Sequence, residues 1–163
     1  MDTLLVHKAI ASKALVKIAE KLKQEEVEIF ADLESYEILI AAGYPYLQKA
    51  KQSDFGREFL SLKMAVRLVK NINEALTHIA EHSTKHSEAI VTENKENAQK
   101  FLNQVDAACV YHNASTRFTD GSQFGMGSEI GISTQKLHAR GPMSAKELTT
   151  YKWLIHGTGQ VRR

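Results

Sequence analysis

Apolar residues recur at spacings of three and four through Ile10, Ala11, Ala14, Leu15, Ile18, Ala19 and Leu22. That spacing gathers them on one face of a helix. Lys13, Lys17, Lys21 and Lys23 fall largely elsewhere on the wheel, as on a solvated surface. Residues 4–6 ahead of this helix and residues 27–30 after it read as short buried strands. Residues 31–55 carry the weakest pattern. Gly43, Pro45 and the polar stretch 48–54 predict a short helix and then an exposed loop. Leu62, Met64, Val66 and Leu68 alternate with Lys63 and Arg67, which predicts a half-buried strand.

Asn71 and Glu74 have the spacing of a helix-capping pair. Ile72, Ala75, Leu76 and Ile79 then continue at helical spacing to about His82. Residues 89–91 read as a strand, Ala98, Phe101, Leu102 and Val105 as a helix face, and residues 107–112 as a strand again. Strands that alternate with helices in this way imply an α/β layer architecture with a substantially parallel sheet. Beyond His112 the glycines at 121, 125, 127, 131 and 141 predict a long irregular segment, the kind of loop that often carries function. Residues 151–156 alternate again and read as a strand with two useful faces.

The 163 residues are 43% hydrophobic and 25% charged, as in an ordinary globular chain. Twenty-one basic residues against 19 acidic ones leave a formal charge of +2, which argues against a nucleic-acid partner. Cys109 is the sole cysteine, so no intrachain disulfide can form and a reducing compartment is the simplest expectation. No apolar run approaches the ~20 residues of a membrane helix. The first residues carry an acid at position 2 and no basic region, unlike a secretory signal. These features lead us to expect a cytoplasmic protein with no membrane partner.

Several residues invite chemical readings. His78, His82 and His86 are four apart, and two histidines at that spacing on a helix can share a metal. His86 falls beyond the predicted helix and no acidic or thiol ligand stands at a recognised spacing, so structural or surface histidines are the default and no metal is expected. Gly125-Met126-Gly127 has part of a phosphate-cradling pattern but lacks the third glycine and the strand–turn–helix context. Cys109 sits among apolar neighbours and reads as a small buried hydrophobe. Residues 113–121 follow a buried strand and bring amide, hydroxyl and guanidinium groups together. Arg117 could grip a carboxylate or phosphate there, or the stretch could be a turn with an Asp120–Gly121 tip. Composition leaves both readings open.

Four longer stretches carry a resemblance. They are VKNINEALTHIAEHSTKHSEAI (69–90), VDAACVYHNASTRFTDG (105–121), FGMGSEIGISTQKLHARGPM (124–143) and ELTTYKW (147–153). Together they resemble the gamma-glutamyl phosphate reductases, or glutamate-5-semialdehyde dehydrogenases, of the aldehyde dehydrogenase superfamily. The resemblance covers essentially the whole chain but only the C-terminal portion of the family's length. It implies a three-layer αβα catalytic domain, partial over 1–149, with a C-terminal oligomerisation strand and tail over 150–163 and no cofactor-binding domain. The family reduces gamma-glutamyl phosphate with NADPH in proline biosynthesis, through a cysteine thioester that hydride transfer resolves to the aldehyde. Its nucleophile lies in a segment resembling CNAMETLLVH, which would put it three residues ahead of Met1. By the same resemblance Cys109 is not catalytic. Glu58 matches the glutamate that contacts the nicotinamide ribose. Asn113, Ser115, Thr116 and Arg117 match a loop near the substrate tunnel. Arg57, Ser61 and His112 depart from the usual pattern. The implied partners are further copies of the chain or a missing N-terminal half. The alternative is a catalytically silent product that retains only assembly surfaces.

Overall fold

The computed structural model describes residues 1–162. β1 (Thr3–His7) passes through a short 3-10 turn into α1 (Ala11–Gln24), and β2 (Glu28–Ala31) leads into α2 (Leu33–Ala41). β3 (Leu47–Lys49) and a connecting loop precede β4 (Lys63–Val69), which leads into α3 (Ile72–His82). These strands form one parallel sheet in the order β1-β4-β2-β3. β5 (Ser87–Ile90), α4 (Lys95–Gln104) and β6 (Cys109–His112) follow, and β5 pairs with β6 in a separate parallel ladder. The mixed α/β architecture with parallel sheets is the one that the alternation of strands and helices implies.

β4 differs from its expectation as a half-buried strand. Met64, Val66 and Leu68 are buried on one face, and Ala65 and Val69 on the other. The reason is that α1 and α2 cover one face of the sheet, while α3 and the loop before β4, through His78, Phe55 and Phe59, cover the other. Leu62, expected on the buried face, lies before the strand and is exposed. Leu15 and Ala19 of α1, Leu39 of α2, Ile29 and Ala31 of β2 and Met64, Val66 and Leu68 of β4 share one core. Strand alternation turns Phe30 and Arg67 to the opposite face.

α2 begins at a carboxylate that also belongs to the sheet. Asp32 Oδ1 accepts the Ser35 N–H at 2.8 Å, as an N-cap does, and Oδ2 accepts the Leu68 N–H at 2.8 Å. The Asp32 N–H donates to the Val66 carbonyl at 2.9 Å. The capping pair of α3 forms as expected, with Asn71 accepting the Glu74 N–H at 3.0 Å, and Glu74 reaches back to the Lys70 N–H at 2.8 Å.

Three strands escape the hydrophobic pattern. β3 is a three-residue edge strand of mostly exposed side chains. β7 (Gly131–Ser133) and β8 (Gly141–Met143) form a short antiparallel pair within the glycine-punctuated segment. Residues 151–156, in contrast, have no regular secondary structure among the described residues, and their side chains are exposed. An alternating segment becomes a strand only against a partner strand, and among the described residues none pairs with it. The chain divides into two compact units, Met1–Thr116 and the remainder from Arg117. Among the described residues no helix is long and apolar enough to cross a membrane.

The double role of Asp32 makes it a test of how the sheet is joined to α2. Asp32→Ala leaves the buried Leu68 N–H without a partner and is expected to cost about 3 kcal/mol in urea unfolding. Asp32→Asn, which keeps one acceptor, is expected to lose about half as much.

Candidate functional site

The loop ahead of β4 carries Glu58. Its first turn is closed by the buried Asp54, whose Oδ2 accepts the Lys51 N–H at 2.7 Å. Phe55 then meets α3, edge-on to the His78 ring at 5.3 Å between centroids and tilted against His82 at 6.1 Å. Gly56 follows with φ of +79°, and a Cβ there would stand 2.7 Å from the His82 carbonyl oxygen. Glycine satisfies both the left-handed backbone and the close approach. Phe59 is buried and stacks on Phe30 of β2 with ring centroids 5.3 Å apart, and the Arg57 guanidinium also lies over its ring, 5.3 Å from the centroid. The Phe59 N–H donates to Asp2 Oδ1 at 3.2 Å. Glu58 itself is exposed, and among the described residues no hydrogen bond or ion pair occupies its carboxylate.

This surrounding matters for the group that the resemblance implies. A free carboxylate has two oxygens that can accept hydroxyl hydrogen bonds. It is held on a loop fixed on both sides by aromatic rings, Phe55 half-buried and Phe59 buried. The chemistry of Glu58 therefore fits contact with a ribose diol.

The second candidate cluster begins where β6 ends. Asn113 takes the left-handed conformation, with φ of +52°. Its N–H donates to the Ile90 carbonyl at 2.9 Å. Its side chain then takes both backbone groups of Thr92: Oδ1 accepts the Thr92 N–H at 2.9 Å and Nδ2 donates to the Thr92 carbonyl at 3.1 Å. His112 Nε2 also bonds that carbonyl, at 2.9 Å. The side-chain amide thus imitates one more residue of the β5–β6 ladder. Asn113 is a clamp that aims the loop, and its amide is already committed to Thr92. Ser115 is exposed, and Thr116 opens the 3-10 turn Thr116–Phe118.

In the second unit Arg117 lines an open pocket of about 270 Å³ with Phe118, Asp120, Ser122 and Gln123. Asp120 accepts hydrogen bonds from the Ser122 hydroxyl, the Ser122 N–H at 2.8 Å and the Gln123 N–H at 3.1 Å. The hydroxyl first, and then the two N–H groups, hold its carboxyl below the usual range. Asp120 is therefore an anion that closes its own turn. Gly121 is required beside it, because a Cβ would lie 2.2 Å from the Ser128 carbonyl oxygen.

The remaining candidates resolve separately. Cys109 is buried in β6 as a free thiol. His78 and His82 face each other on α3, while His86 lies beyond it and bonds the neighbouring Ser87 hydroxyl at 2.7 Å. No group of three or more potential ligands among the described residues is placed to hold a metal. The Gly125–Gly127 stretch belongs to a turn in which the Met126 N–H donates to the Gly121 carbonyl at 2.8 Å. Sequence reasoning missed Asp2 and Phe55, the supports of the Glu58 loop. Neither has a local signal, because each acts on residues remote in sequence.

Comparison with known proteins follows the same outline. A gamma-glutamyl phosphate reductase of Dehalococcoides mccartyi is 56% identical over 162 residues, which is 99% of this chain and 38% of that protein. One from Clostridium acetobutylicum is 54% identical over 163 residues, 100% of this chain and 38% of that protein. The chain spans 38% of the length of these curated relatives and corresponds to a C-terminal portion of them. The crystal structure of gamma-glutamyl phosphate reductase from Thermotoga maritima matches with a TM-score of 0.91 and 49% identity, over 99% of this chain and 38% of that one. A propionaldehyde dehydrogenase from Clostridium phytofermentans shares the fold at a TM-score of 0.57 and 14% identity, over 91% of this chain and 41% of that one. No family model matches the chain.

The clamp at Asn113 predicts a local effect. Asn113→Ala is expected to cost about 1–2 kcal/mol and to speed amide exchange at Thr92 by about tenfold. Asn113→Gly relieves the left-handed backbone and is expected to recover part of the stability without restoring Thr92 protection.

Proposed function

We propose that this chain, the counterpart of the C-terminal portion of gamma-glutamyl phosphate reductases, supplies the supporting part of that enzyme's site. The observation that carries the proposal is identity of 56% to such a reductase over 99% of the chain. The reaction reduces gamma-glutamyl phosphate to glutamate 5-semialdehyde and releases phosphate. The bound NADPH supplies the hydride. Glu58 accepts hydrogen bonds from the nicotinamide ribose hydroxyls, which its exposed, unpaired carboxylate supports. Arg117 binds an anionic group of the substrate bidentately. Ser115 and Thr116 orient the substrate's polar groups, and Asn113 aims the loop that carries them.

The nucleophile and most of the nucleotide site come from the remainder of the relatives' length. The burial of Cys109 within β6 and its apolar neighbours support this division. We place the work of the chain in a reducing cytoplasm, where a free thiol persists. Assembly involves further copies or the N-terminal part. The exposed Tyr151, Trp153, Leu154 and Ile155, each between 72% and 88% accessible, support a covering partner strand for this tail.

Phosphate-dependent reduction of NADP by glutamate 5-semialdehyde tests the reading. The chain alone is expected to be inactive, and mixing with the separately expressed N-terminal portion is expected to give activity. In that mixture Glu58→Gln is expected to raise KM for NADP by about tenfold, with a smaller effect on KM for the aldehyde. Activity of the chain alone would overturn the division of roles. Inactivity on mixing, where an intact relative is active, would favour the silent product that retains only assembly surfaces.

The tail gives a separate expectation. Sedimentation at micromolar concentration should show self-association, and removal of the residues after Thr150 should shift the chain toward monomer. A monomer before truncation would argue against the tail as an assembly strand.

A further inference from the structure

Two neighbouring imidazoles, His78 buried and His82 half-buried, support the Glu58 loop, and the proposed reaction uses neither. His78 is 4% exposed, and its ring centroid lies 4.5 Å from that of His82. Arg67, from β4, places Nη1 3.0 Å from His78 Nδ1. A guanidinium only donates, so Nδ1 accepts and the neutral ring carries its proton on Nε2. That Nε2 and the Nε2 of His82 are both buried without a hydrogen-bond partner. Phe55 rests edge-on against His78 and beneath the Arg67 guanidinium, which lies 5.7 Å from its ring centre. Gly56 closes on the His82 carbonyl.

Three elements pack around the pair, and two of them place a charge beside it. β4 contributes Arg67. α3 contributes Glu81, whose carboxylate is 3.9 Å from His82 Nε2 and largely exposed. The loop carries Asp54 next to Phe55 in sequence, and its Oδ2 is engaged by the Lys51 N–H. A proton added to His78 would therefore stand beside a guanidinium, in a site shielded from water, with no carboxylate bonded to it.

We propose that His78, neutral and packed against His82, is the seat on which the Glu58 loop closes, and that the loop opens when His78 takes up a proton. Only its meaning for nucleotide contact rests on the reductase reading. His78 is a positioning residue, acting on Glu58 through Phe55 and Gly56. Burial first, then His82 and Arg67, hold its pKa down to about 4 from an ordinary 6.5. In the open loop the ring regains water and its pKa rises towards the ordinary value, with Arg67 and His82 still beside it. The open form therefore binds more protons, and the ratio of open to closed loop rises as pH falls from 6.5 towards 4. Between pH 7 and pH 4.5 the rise is at most about 60-fold.

Amide exchange over residues 52–60, corrected for the pH dependence of intrinsic exchange, reads this ratio in the chain itself. The native chain is expected to show the rise, centred on Gly56 and Phe59. His78→Gln keeps an acceptor for Arg67 but does not titrate, and is expected to change less than about threefold over the same range. An equal rise in His78→Gln would assign acid opening to a group other than His78 and overturn the proposal. A flat native profile would overturn it as well. Should the variant fail to fold, the ring resonances of His78 in the native chain decide: titration in step with the loop signals supports the seat, and titration near 6.5 with unchanged loop signals refutes it. Neither readout uses catalysis, so a pH-insensitive loop leaves the reductase reading standing, and an inactive mixture leaves the seat standing.

Discussion

Strand β4 is hydrogen-bonded along both edges and buried on both faces, and the rest of the parallel sheet depends on it. A strand in that position has no water to satisfy a stray polar group. Each exception must be matched by a specific partner. Beyond β2, its edge at Leu68 is completed by the Asp32 carboxylate. Its inner charged residue, Arg67, meets His78 and the face of Phe55. The first exception ties α2 to the sheet. The second ties α3 and the Glu58 loop to the opposite face.

The same device recurs wherever the chain leaves a strand near a candidate site. Asp2 takes the N–H of Phe59, Asp54 closes the turn that opens the Glu58 loop, and Asn113 takes both backbone groups of Thr92. In each case a short polar side chain stands in for a missing backbone neighbour. Such a side chain fixes direction as well as energy, because its acceptor lies a fixed distance from its own backbone. Reactive loops need that directional hold more than they need extra burial. This explains why exposed residues such as Glu58 and Ser115 can still be held in place.

The helices were legible in the sequence because each has a strong apolar stripe. α1, α3 and α4 appear within a few residues of their predicted bounds. β4 was found, but its burial on both faces was not, since Arg67 suggested a solvent face and its partner His78 lies on another element. β3, β7 and β8 went unseen because short edge pairs are held by backbone bonds that leave no hydrophobic period. Residues 151–156 show the converse, a strand pattern with no strand to pair. At the candidate site the residue types were legible and their tasks were not. Asn113 was grouped with residues that meet a ligand, yet its amide serves Thr92.

That distinction bears on what a C-terminal portion can contribute to a larger active site. Reacting groups can be exchanged between folds if their supports are rigid, whereas supports cannot be separated from the sheet that carries them. Here the supports are internal. The Glu58 loop is closed by Asp2, Phe30, Phe55 and His78, and the 113–116 loop by Thr92, all within residues 1–116. Shape at these two loops therefore follows from contacts inside the chain. On the proposed reading, chemistry also needs groups from the remaining length of the relatives. The two requirements separate because β4 organises the first without reference to the second.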